Sequence, residues 1–118
     1  MLPPTKLKVR VQGKAKKHQG DSSGIYTLQP KLVNSNPTWK QKSAHYSIWF
    51  ANGAWVVGLT PNLGSVKVHI IGPQTGDDWP QNLSGWQYFD GKNFLDAGSD
   101  VVIEHYSDGK SETHLNEA

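Results

Sequence analysis

The chain has no cysteine and a single methionine among its 118 residues. Without a thiol there is no disulfide framework, no thiolate zinc site and no cysteine nucleophile, so the fold must be held by core packing alone. Long apolar runs are also missing, and none approaches the roughly 20 residues that a membrane-spanning helix requires. The N-terminus does not read as a secretory leader: Pro3 and Pro4 interrupt it, and Leu7, Val9 and Val11 then alternate with Lys6, Lys8 and Arg10. The missing leader and the missing cysteine together favour a cytoplasmic setting. Signatures of catalysis are scarce as well. There is no Gly-x-Ser-x-Gly elbow, no phosphate-binding loop and no dinucleotide fingerprint. The histidines at 18, 45, 69, 105 and 114 form neither a His-x-x-x-His nor a His-x-His pair, so no metal site and no cofactor are expected. Asp77-Asp78 is an acid pair, but adjacent loop carboxylates seldom supply both a general acid and a base. Asn82-Leu83-Ser84 fits the N-glycosylation pattern, a match short enough to arise by chance.

What is present is tryptophan. Five Trp residues, four Tyr and three Phe accompany a mean hydropathy of −0.59 and a charged fraction of 19%. Large apolar rings in a polar chain argue for one folded domain, 1–118, and against disorder. The 12 Gly and 7 Pro are spread at intervals too short for long helices. The clearest local signal is Asn52-Gly53 between two aromatic and β-branched runs. It predicts a type I′ hairpin with Ala51 opposite Ala54 and Phe50 opposite Trp55. That register puts Tyr46, Ile48, Phe50, Trp55, Val57 and Leu59 on a core face, and Trp49, Ser47, Ala51, Ala54, Val56 and Gly58 on the other. Further strands are expected at 6–11, 25–28, near Trp39, at 66–71, 86–89, 93–95 and 101–106, with a hairpin turn at Asp90-Gly91. Residues 13–23 show no apolar periodicity and read as a mobile basic loop, and 110–118 as a frayed tail. The expected fold is all-β, an antiparallel sandwich or partly open barrel of about seven to eight short strands with no long helix.

Charge divides the chain. Residues 1–42 carry a net +8 and residues 43–118 a net −6, an asymmetry that either makes a dipolar surface or cancels on folding. Three function classes follow. A non-catalytic recognition module, binding protein or glycan through loop aromatics, suits a rigid β scaffold best. Its candidate residues are Trp79 in the long loop 72–84, Trp49 on the shallow face of the hairpin, and Asp77 and Asp78 as hydrogen-bond acceptors. Each indole has a structural alternative: Trp49 packed against a second sheet, Trp79 folded back as a lid. A single-strand nucleic-acid binder of the OB type would instead use Lys6, Lys8, Arg10, Lys14, Lys16 and Lys17 as a phosphate track. A small enzyme, with an acid and a base brought together from separate strands, is the third class and the one with least support.

Overall fold

The computed structural model describes residues 2–75 and 78–107; the tail at 110–118 and Asp77 lie outside them. The elements are β1 (Lys6–Val11), α1 (Gly13–Gln19), β2 (Gly24–Leu28), β3 (Trp39–Gln41), β4 (Tyr46–Ala51), β5 (Ala54–Leu59), β6 (Ile70–Gln74), β7 (Gln87–Phe89), β8 (Phe94–Asp96) and β9 (Val101–His105). The nine strands form one antiparallel sheet in the order β8-β7-β6-β5-β4-β3-β2-β1-β9, curled into a half-barrel. The all-β expectation holds, with one strand more than the upper count, and a partly open barrel replaces a two-sheet sandwich.

The hairpin β4–β5 has the register that Asn52-Gly53 implies. Phe50 pairs with Trp55 and Ala51 with Ala54, while Asn52 and Gly53 take φ of 51° and 82°. Positive φ at both central residues lets the turn match the twist of the strands it joins.

Period-two alternation then sorts side chains between the faces. Following the register from β2 to β8, Leu28, Trp39, Ile48, Val57, Ile70, Tyr88 and Leu95 form one row on the inner face. Leu7, Val9, Val11, Val101 and Ile103 continue that face at the β1–β9 seam. With Trp55 and Trp86 these residues, apart from the exposed Leu95 at the β8 edge, make the main core.

A curled sheet of this size leaves its two ends to be closed. At the end where β1 finishes, α1 packs Ala15 and Gln19 inward. The segment 13–23 is therefore folded, where the sequence suggested a structureless loop. Gln19 Nε2 donates to the Phe89 carbonyl at 2.7 Å and Ser22 Oγ to the Gln19 carbonyl at 2.6 Å. Tyr26 Oη donates to the Ser22 carbonyl at 2.6 Å, and burial holds the Tyr26 phenol well above its ordinary pKa, with Tyr46 adding to the shift. One legible cue was missed: Ala15 and Gln19 are four residues apart, the spacing of a helical face.

The 66–71 strand also needs correction. β6 starts at Ile70 and runs through Gly72 and Pro73 to Gln74. Pro73 is tolerated because it lies past Ile71, the last residue of β6 paired to β7. Residues 65–69 cross the outer face of β5 instead, leaving Val66 72% exposed. The crossing is close at Gly58, where a Cβ would lie 2.7 Å from the Trp49 ring and 3.2 Å from the Lys67 carbonyl. Only glycine admits both neighbours there.

Candidate functional site

The two indoles singled out from the sequence sit on opposite faces of the sheet. Trp79 is partly buried at the other end of the half-barrel, edge-on to Trp39 with ring centroids 6.4 Å apart and tilted against Trp55 at 6.2 Å. It packs on the main core as a lid. Trp49 is buried on the outer face with Ala51 and Val56, covered by the crossing segment and not by a second sheet. Three indole N–H groups are used to hold loops, while that of Trp86 is buried without a partner among the described residues. Trp39 Nε1 donates to the Pro4 carbonyl, Trp55 Nε1 to the Asp78 carbonyl, both at 2.8 Å, and Trp49 Nε1 to the Ser65 carbonyl at 2.9 Å. Asp78 is exposed, and its main chain anchors Trp55. Four of the five tryptophans are buried and Trp79 is partly buried on the core, so none is a fully open platform for a sugar or a base.

The six cations of the nucleic-acid reading also separate. Leu7, Val9 and Val11 point inward, so Lys6, Lys8 and Arg10 point outward. Lys14, Lys16 and Lys17 lie on α1, whose buried Ala15 belongs to the inner core. They therefore project from the helix that closes one end of the half-barrel, apart from the outer face of β1 that carries Lys6, Lys8 and Arg10. Arg10 is further engaged by Glu104, at 3.4 Å.

A different set comes together on the outer face. Pairing places Lys6, Thr27, Lys40, Ser47 and Gly58 in one row across β1 to β5. Above that row lies a groove of about 290 Å³. Thr38, Lys40, Ser47 and Thr60 form its floor, the 29–33 segment one wall and Leu63 the other. Ser47 Oγ and Thr60 Oγ1 are hydrogen-bonded at 2.9 Å, so the floor offers few open polar atoms. The walls are held in place: Asn34 Nδ2 donates to the Phe50 carbonyl at 2.8 Å and to the Gly64 carbonyl at 3.1 Å. Leu32 is nevertheless 65% exposed on the rim. Among the described residues, no carboxylate lies within 4 Å of Lys31 or Lys40, both in the lining. An exposed leucine beside a groove and two cations without counter-charge is the kind of feature that marks a contact surface. The sequence signal was available only in part, since Lys31, Leu32 and Lys40 sit in or beside a turn and carry no motif.

Histidine chemistry is sparse. Among the described residues no histidine lies within 4 Å of a carboxylate, and no cluster of three or more His, Asp or Glu is placed to hold a metal ion. Tyr46 and His69 meet edge-on at 6.0 Å; burial lowers the His69 pKa and raises that of Tyr46, the nearby Asp21 adding to the latter. Among the described residues no helix is long and apolar enough to cross a membrane. Comparison with known protein families, curated proteins and solved structures finds no match.

Proposed function

We propose that this domain is a non-catalytic recognition module that binds a partner protein in the groove on the outer face of β3 and β4. The observation that carries the reading is that groove: fixed walls, an exposed Leu32, and Lys31 and Lys40 with no carboxylate beside them among the described residues. Its volume lies near the lower end of binding pockets, which run from about 300 Å³ upward. That size suits one or two side chains of a partner. Burial of four indoles and partial burial of the fifth argue for protein over glycan.

The test is selection of random peptides displayed on phage against the immobilised domain, repeated with Leu32→Arg. Leu32 is mostly exposed, so the substitution leaves folding nearly untouched. Enriched peptides should bind the original domain and lose about tenfold or more on the variant, with Asp78→Ala unchanged. Failure to enrich any peptide, or equal binding to both forms, would overturn the reading.

A further inference from the structure

Resting on that reading, we infer that the groove takes an extended acidic segment of a partner protein that inserts one aliphatic side chain. Two features of the surface set the chemistry of its occupant. The first is the lining. Leu32, Val33 and Leu63 are aliphatic, and the hydroxyls of Ser47 and Thr60 are hydrogen-bonded to each other, so what enters gains most by burying a methyl-rich side chain. An aromatic base would need a flat ring to stack on. The exposed large apolar residues of the outer face, Leu32 and Leu63 at the groove and Val66 on the crossing segment, are aliphatic, and the exposed Phe94 is on β8, at the far edge of the sheet.

The second is the charge around it. Lys31 and Lys40 line the groove, and beyond Thr27 the outer face of β1 carries Lys8 and Arg10. Among the described residues, Glu104, opposite Lys8, pairs with Arg10. The net field over β1–β3 is positive, and it extends away from the groove in one direction. Strands are spaced about 4.8 Å apart, so β1 lies about 10 Å from β3, and an extended peptide covers that distance in about three residues. A small anionic molecule held in the groove would reach Lys31 and Lys40 alone. A segment with an aliphatic anchor and carboxylates over the next three or so residues meets the whole strip, which is why a polymeric occupant fits better.

The probe is a fluorescein-labelled synthetic dodecapeptide, mostly Gly and Ser, with a central Leu flanked on each side by two Asp. Binding is read by fluorescence polarisation at about 0.1 M and about 0.5 M salt. The expected result is saturable binding that weakens about tenfold with Lys40→Glu, less with Lys40→Gln, and about fivefold when the peptide's Leu is replaced by Ser. Arg10→Gln should change it least, because that guanidinium already has a partner. Thermal melts of each variant establish that the loss is not unfolding. Three results would overturn the inference: no dependence on Lys40 charge, equal binding of the Ser peptide, or tighter binding of a thymidine dodecamer, the last pointing to nucleic acid. Phage selection separates this from the broader reading. Basic or aromatic sequences that need Leu32 would leave a recognition module standing and remove the acidic occupant, whereas no enrichment removes both.

Discussion

The two faces of this sheet are made from the same strands and treated very differently. The inner face is lined by Trp39, Trp55, Trp86 and Tyr26, and both of its ends are capped, by α1 and by Trp79. The outer face buries one large ring, Trp49, under a single crossing segment, and leaves β1–β3 to lysine, threonine and solvent. In a strand the residues alternate, so each strand contributes to both faces, and the same hairpin that supplies Trp55 to the core supplies Trp49 to the minor cluster. The difference teaches that aromatic richness reports on the closed face, while the recognition surface is assembled from residues the composition does not advertise.

The contrast can be broken most forcefully from inside. Trp39→Ala removes a fully buried ring, its contacts with Trp55 and Trp79, and the tether to Pro4. It should cost about 3–5 kcal/mol in urea unfolding, enough to leave the domain marginal. Gly58→Val tests the outer face. A side chain there collides with the Trp49 ring and the 65–69 backbone, and the expected loss is about 1–3 kcal/mol with new exposure of Trp49 seen as a red-shifted fluorescence spectrum. Trp79→Ala should fall close behind, at about 2 kcal/mol, because the ring is only partly buried. Peptide binding in the groove should survive it. If instead Trp79→Ala abolishes binding at unchanged stability, the loop tryptophan is the anchor and the outer groove is not.

The smallest expected effect is a pH dependence at the β7–β8 turn. Asp90 Oδ1 accepts from the backbone N–H groups of Asn93 and Lys92, each at 2.8 Å, and these bonds, helped by His18, hold its pKa below the ordinary value. A carboxylate whose folded pKa is depressed contributes stability that is fully present above its unfolded pKa, near 4, and is lost as the pH falls through the folded value. Asp90→Asn keeps an acceptor oxygen at the turn but not the charge, so it should be slightly less stable than the original protein at pH 7 and equal to it once the pH has fallen through the folded pKa. Comparing thermal melts of the two proteins from pH 7 downward reads this directly; parallel curves would show that the turn contributes nothing to acid sensitivity.

Much of the fold was legible because the signals were local. Asn52-Gly53 defines a turn, the turn defines a register, and the register separates Trp55 from Trp49 with no knowledge of the rest of the chain. The strand at 66–71 misled for the opposite reason. Val66, Val68 and Ile70 alternate as a strand does, yet whether an alternating segment pairs depends on a neighbour, and β6 took its place beside β5 four residues later, at Ile70. Trp79 could not be placed at all from its own surroundings, since a loop ring packs or protrudes according to what lies beneath it, here Trp39 and Trp55 from strands far away in sequence. The groove was invisible for the same cause: Leu63 and Thr60 reach Lys31 and Lys40 only through the folding of two separate connections. The charge asymmetry did carry over in part. In a meander the strand order follows the sequence order, so the basic first third becomes a basic side of the surface.

The one departure from that meander is the pairing of β9 with β1. Every other strand finds its partner nearby along the chain, but Val9 must meet Ile103 across nearly the whole domain. Closing so long a loop is entropically the most demanding contact of the fold. The eight-strand ribbon from β1 to β8 can therefore zip by neighbour-to-neighbour steps, and the seam is set last. Tension applied to the two chain ends would act on that same seam, because Tyr106 N–H donates to the Lys6 carbonyl at 3.1 Å and the ends leave the sheet side by side. The first and last strands thus work as a clasp: Leu7, Val9 and Ile103 hold the seam shut, and a pull on the segments flanking it loads the β1–β9 hydrogen bonds together with those that tie β1 to β2.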